Sequence, residues 1–220
     1  MNSRADIWVI GSGRFGRRAV EVLSQTRPKA HLLAVDHDAE ALSDIEAFGA
    51  EIINGDGLDF LVRNLFKEGG PEWIMPCVPF HLAYRWLLAR LSAKAESIPV
   101  PPEFEADLPH PFQADRGGFY ISYADFLCPI DCPEPADICT YTGKPRVGTL
   151  FKDLAAKSWP GFEILVLRSR QLAPGLGGYR RSEMFDLERR VLESGGRLLV
   201  ATACRCHGVI HGLRIHAGPG

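Results

Sequence analysis

No apolar run in these 220 residues approaches the ~18–20 needed to cross a bilayer, so membrane insertion is not expected. Arginine and lysine are scattered rather than clustered, and a formal net charge of -2 with a pI near 6.4 provides no basic face. A nucleic-acid partner is therefore not expected, because such binders present concentrated positive charge to phosphates. There is no internal repeat of fixed period, no Walker loop, no Ser/His/Asp set and no conspicuous carboxylate pair, so no hydrolase or NTPase chemistry is indicated. The opening residues Met1-Asn2-Ser3-Arg4-Ala5-Asp6 lead directly into an apolar run and leave no room for a signal peptide. A cytoplasmic location is expected on that ground. In a reducing compartment the six cysteines are more readily free thiols or metal ligands than a disulfide framework.

What the chain does contain is enough apolar residue, 46%, to bury a sizeable core. Short apolar runs at 7–10, 31–35, 51–53 and 73–75 alternate with helix-period stretches at 14–28, 39–48, 58–66 and 81–91. Strands alternating with helices predict parallel βαβ units over residues 1–97. Residues 98–117 hold Pro99, Pro101, Pro102, Pro109 and Pro111, a composition that reads as an irregular linker. Periodicity returns in a C-terminal α/β region, 118–220, with strands expected at 162–167, 197–203 and 209–215 and a helix at 182–192. The fold class expected is thus α/β: a Rossmann-type parallel sheet, a second C-terminal α/β region that extends it or stands beside it, and a Cys/Pro-rich loop between them. The final Ala217-Gly218-Pro219-Gly220 is expected to fray.

The most informative motif is Gly11-Ser12-Gly13-Arg14-Phe15-Gly16, placed after a predicted strand and opening a predicted helix. In that context the first glycine permits the tight turn, the second lets a pyrophosphate approach the backbone, and the third lets helix and strand pack closely. The helix N-terminus then offers free N–H groups and positive dipole to the phosphates. Asp36 follows Gly16 by 20 residues, at the end of the second strand, where a carboxylate accepts hydrogen bonds from ribose hydroxyls and repels a 2′-phosphate. Neither His37 nor Asp38 is an arginine that would reward that phosphate, so NAD(H) is expected over NADP(H).

These residues, together with Gly55-Asp56-Gly57, resemble the TrkA-N (RCK-type) domain of potassium-uptake regulatory subunits. The resemblance covers the N-terminal third. It implies that Gly11, Ser12, Gly13, Arg14, Phe15, Gly16, Asp36, His37, Gly55 and Asp56 line a nucleotide. Two departures are visible: Met75-Pro76-Cys77-Val78-Pro79-Phe80-His81 replaces the family's short polar loop, and the family's C-terminal ligand domain is not recognisable. The proline at that strand end is also similar to saccharopine-dehydrogenase-type Rossmann domains.

Outside the motif, three cysteines fall within 12 residues, Cys128, Cys132 and Cys139, with Cys204, Cys206, His207 and His211 farther on. Thiolate and imidazole suit zinc or an iron–sulfur cluster, so Cys128, Cys132, Cys139 and Cys206 are the candidate metal ligands, with buried idle thiols or a dithiol–disulfide pair as alternatives. Cys77 and His81 sit at the carboxyl edge of the predicted sheet, where they would face a nicotinamide; the plainer alternative is that Cys77 packs and His81 caps the next helix. A second glycine loop, Pro174-Gly175-Leu176-Gly177-Gly178, has the composition to approach a phosphate or simply to turn the chain.

Two functions are compatible with these features. One is an NAD(H)-dependent oxidoreductase passing hydride or electrons to a cysteine-held zinc or iron–sulfur centre. The other is a non-catalytic nucleotide sensor of the TrkA-N kind that regulates a partner, as in potassium transport. The family resemblance and a free sheet edge also make a homodimer an expected partner state.

Overall fold

The computed structural model describes residues 6–216; the expected fraying of residues 217–220 and the expectation drawn from residues 1–5 lie outside them. The first half runs β1 (Ile7–Ile10), α1 (Arg14–Thr26), β2 (Leu32–Asp36), α2 (Ala39–Glu46), β3 (Glu51–Asn54), α3 (Gly57–Asn64), β4 (Trp73–Pro76) and α4 (Leu82–Leu91). Then come β5 (Ala95–Ile98), α5 (Pro102–Glu105), β6 (Phe112–Gln113) and β7 (Phe119–Ser122). The chain finishes with α6 (Leu150–Ala156), β8 (Glu163–Arg168), β9 (Arg170–Ala173), β10 (Leu176–Arg180), α7 (Arg181–Ser194), β11 (Gly196–Ala203) and β12 (His207–Ile215).

Two six-stranded sheets result. The first has the order β3-β2-β1-β4-β10-β9, parallel through β4 and antiparallel beyond it. The second has the order β6-β7-β12-β11-β8, with β5 also paired to β12. The alternating-strand expectation for the N-terminal region and the separate C-terminal α/β region are both present. The chain nevertheless crosses back: β9 and β10, from the second half, complete the first sheet.

Side-chain alternation distributes the core among five layers. In β1, Trp8 and Ile10 face one way and Ile7 and Val9 the other; in β11, Leu198 and Val200 oppose Leu199 and Ala201. One cluster joins Trp8 and Ile10 to α4, α7 and the facing side of the second sheet, so α3, α4 and α7 lie between the sheets. Helices α1 and α2 cover the outer side of the first sheet, and α5 and α6 the outer side of the second. Both faces of β1 and β11 are therefore apolar, as buried strands of a layered α/β protein must be.

Local chemistry sets the boundaries. Asp38 caps α2 by accepting from the amides of Glu40 and Ala41 (3.0 and 3.1 Å), and Asp56 caps α3 by accepting from Asp59 (2.8 Å). The proline-rich stretch read as wholly irregular contains the short helix α5, which starts at Pro102, where a proline's missing N–H costs nothing. The second glycine loop is a hairpin. Gly175 turns between β9 and β10 with φ +74°, and Gly177 and Gly178 are strand residues. Residues 123–149 contain no helix or strand, only an isolated bridge between Ile138 and Pro145.

Candidate nucleotide site

The glycine turn is built by close approach. Gly11 has φ +103°, and a side chain there would collide with the Cys77 carbonyl oxygen. A β-carbon on Gly16 would collide with the Gly11 carbonyl oxygen, so α1 packs on the turn only with glycine at this position. Gly13 differs from both: no protein atom lies within 4 Å of where its β-carbon would be. Two of the glycines thus serve the fold, and the middle one leaves open space at the N-cap of α1. That helix has no acid in its first turn and no side-chain cap, so its first amides are available to an anion.

Asp36 is tied to the turn. Its Oδ2 accepts from the Ser12 amide at 2.5 Å and its Oδ1 from the Asp38 amide at 3.0 Å, with His37 Nδ1 at 3.1 Å. Burial alone would raise this carboxyl, but the two amides and the neighbouring imidazole outweigh it and hold the pKa below the ordinary carboxylate value. Asp36 is thus an anion that positions the turn. Gly55 donates to the Asp36 carbonyl (2.8 Å), and no protein atom lies within 4 Å of a β-carbon built there. His37 is almost fully exposed beside it, and Asp56 is engaged as the α3 cap.

Ser12, Gly13 and Arg14 line a 730 Å³ cavity with Arg17 and Arg18 of α1 and Ala41 and Asp44 of α2. Arg14 and Phe15 continue into a 970 Å³ cavity walled by residues 123–149, the β9–β10 hairpin and the 204–207 turn. The structure thus brings Gly11 to Gly16, Asp36, His37 and Gly55 to one end of the first sheet.

His81 turns inward, and Cys77 packs half-buried against the apolar cluster on the outer side of the first sheet. Burial pushes the Cys77 thiol up to about 12, so it is a thiol and not a thiolate. His81 is 3% and His211 1% exposed by residue and side chain respectively. Their Nδ1 atoms are 3.1 Å apart, His81 Nε2 is 2.8 Å from Thr202 Oγ1, and His211 Nε2 faces the carbonyl and carboxylate of Asp115 at 2.9 and 3.3 Å. Asp115 is held in turn by Arg85 at 2.5 Å. With both rings neutral, one proton assignment satisfies every contact: His211 donates from Nε2 to Asp115, His81 donates from Nδ1 to His211, and Thr202 donates to His81 Nε2. Burial holds both histidines below their ordinary pKa, His211 adding charge repulsion at His81 and Asp115 partly opposing the shift at His211. This neutral chain links the N-terminus of α4 to β11 and β12 of the other sheet. The sequence reading singled out His81 as an acid–base candidate, but no local pattern pairs it with a histidine 130 residues away.

The expected metal centre is corrected. Among the described residues no group of three or more His, Cys, Asp or Glu is gathered so as to hold a metal ion. Cys128, Cys132, Cys139 and Cys206 line the same large cavity without forming such a group. The Cys206 thiol takes the Arg146 guanidinium, and the Cys204 thiol accepts from the amides of Cys206 and His207 (3.4 and 3.3 Å). Sequence spacing brought these cysteines together along the chain; the fold does not converge their sulfurs on a point. The zinc or iron–sulfur cofactor, and the redox function built on it, fall with that geometry.

Taken together, the turn and the layers define a Rossmann-type nucleotide-binding fold carrying a second α/β sheet. Residues 7–62 match the TrkA-N domain. Residues 83–216 match a family described as "Uncharacterized protein, C-terminal domain". A protein of Archaeoglobus fulgidus, bearing the name "Uncharacterized protein", is 31% identical over 221 residues, covering 94% of this chain and 98% of the relative. The chain belongs to this family. No helix among the described residues is long and apolar enough to cross a membrane.

Proposed function

We propose that the protein is a nucleotide-binding regulatory protein of the TrkA-N kind, acting through a partner or a second copy of itself. The observation that carries the reading is the turn itself. Gly13 stands open at an uncapped helix N-terminus, and the turn is held in place by a carboxylate at the end of the next strand. The TrkA-N match over the same residues supports it, and so does the inward packing of His81, whose two ring nitrogens are engaged by His211 and Thr202. In this reading the phosphates lie on the α1 N-terminus and the Arg14 side chain, and Asp36 receives the adenosine ribose. A free 2′-hydroxyl fits there, whereas a 2′-phosphate would meet an anion.

Titration calorimetry of the full chain with NAD(H) and NADP(H) tests this. The wild type is expected to prefer NAD(H). Asp36→Ala is expected to cut that preference by about tenfold, the equivalent of about 1.4 kcal/mol. Because the same carboxylate holds the Ser12 amide, the loss should fall on NAD(H) affinity with little gain for NADP(H). An unaltered ratio removes Asp36 from the ribose, and failure of any adenine nucleotide to bind removes the reading.

A further inference from the structure

The larger cavity begins where the glycine turn ends. It shares Arg14 and Ile130 with the smaller one, so the two meet at the turn. Its far wall is residues 123–149, which lie outside the TrkA-N match. That segment is fastened at two places. Its 130–132 corner rests on the β9–β10 turn, where Gln171 Nε2 and the Gly175 amide both donate to the Cys132 carbonyl (2.7 and 2.9 Å). A β-carbon on Gly175 would collide with the Ile130 carbonyl oxygen, so the approach is backbone to backbone. Farther along, Glu134 accepts from the Arg205 amide and Arg146 reaches the Cys206 thiol, which tie the segment to the second sheet. The segment is thus held against both sheets beside the turn.

The lining is apolar and aromatic, with Phe15 left 53% exposed and Phe126 stacked on Tyr141 at 4.6 Å between centroids. Uncovered aromatic surface around a concave site marks a place for a ligand. Arg14, Lys144 and Arg146 outnumber the acids Asp125 and Glu134 on the wall, which favours an anionic occupant. Along the first sheet this cavity lies on the β10–β9 side of the turn, opposite Asp36.

We propose that residues 123–149 form the far half of the nucleotide cleft and that its occupant is a dinucleotide. The adenosine would lie on the Asp36 side, the pyrophosphate over the turn, and the second, flat heteroaromatic half against Phe15, Phe126 and Tyr141. This rests on the nucleotide reading above and adds to it a selection for two-lobed nucleotides over mononucleotides.

Cys139, on the cavity wall, supplies the readout. It is partly exposed, and hydrogen bonds from Thr142 and Tyr141 keep its thiol below the ordinary value, which favours alkylation. The full chain is treated with iodoacetamide alone, with saturating NAD, or with saturating AMP, and modification of each cysteine is followed by mass spectrometry. NAD is expected to slow alkylation of Cys139 several-fold while AMP leaves it unchanged. In parallel calorimetry, Phe126→Ala is expected to weaken NAD and not AMP, at an unchanged melting temperature. If AMP binds as tightly as NAD and neither protects Cys139, the dinucleotide proposal is overturned and the nucleotide reading stands. If neither nucleotide binds, both are overturned.

Discussion

Replacing Gly13 with valine is expected to abolish nucleotide binding with little loss of stability, whereas alanine at Gly16, three residues on, is expected to destabilise the fold. Both are glycines of one turn, and only their surroundings separate them. The Gly13 backbone, at φ -57° and ψ -170°, suits any L-residue, and its β-carbon would meet nothing. The cost to stability is therefore limited to the weaker helix-capping tendency of valine, about 1 kcal/mol at most. The isopropyl group would occupy the space a phosphate needs, and a loss of affinity of roughly 100-fold or more, about 2.7 kcal/mol, is expected. At Gly16 a methyl group would meet the Gly11 carbonyl oxygen, a backbone atom whose own residue is pinned by the Val35 carbonyl at 2.8 Å and crowded by Cys77. Overpacking against backbone that cannot yield costs roughly 3 kcal/mol, which lowers the melting temperature of a chain this size by roughly 6–12 °C. Calorimetry for binding and thermal unfolding for stability separate the two effects. Equal losses of stability in the two variants would mean that the turn is not arranged as described.

Loss of stability under mild acid is the second large effect. An unfolded histidine titrates near pH 6.5, but burial holds His81 well below that value and His211 below it in the folded chain. Below about pH 6.5 the unfolded chain therefore takes up protons that the folded chain refuses, and stability falls as the pH drops toward the folded values. Above pH 7 both states are neutral and these groups contribute no slope. The carboxyls of Asp36 and Asp115, whose folded pKa values are depressed, act in the same direction but in a lower window, below about pH 4. At pH 8, His81→Ala is expected to cost about 3 kcal/mol, because it leaves a cavity and strands His211 Nδ1 and the Thr202 hydroxyl without a partner. Between pH 6.5 and 5 the variant should lose less further stability than the wild type. Urea unfolding across that range provides the check; a wild type with no slope there would mean that the pair is already charged or is not buried.

The first sheet was legible because its signals are local. Strands such as Ile7–Ile10 are wholly apolar, helices follow at a 3.6-residue period, and Gly49 and Pro28 punctuate them. The glycine turn was legible for the same reason, and Asp36 does meet it, at the Ser12 amide. What escaped has no local signature. Strand β10 reads Leu-Gly-Gly-Tyr-Arg, and two adjacent glycines look like a loop until β4 is found lying against them. Gly178 is required there because a side chain would press on the Ile74 carbonyl, a fact of tertiary approach and not of sequence pattern. The cysteines misled in the opposite way. Their spacing suggested a centre, yet whether thiols meet depends on a long irregular segment whose course no periodicity determines.

The crossing of β9 and β10 into the first sheet also bears on how the chain reaches its native state. A ribosome must release residues 170–180 before the sheet begun at residue 7 can be finished, and β5 likewise waits for β12 to pair. Such long sequence separations slow the search for native pairing and keep a hydrophobic β4 edge open during synthesis. With α3, α4 and α7 shared between the sheets, neither half has a complete core of its own. The molecule should therefore melt in one calorimetric transition, folding late and all at once.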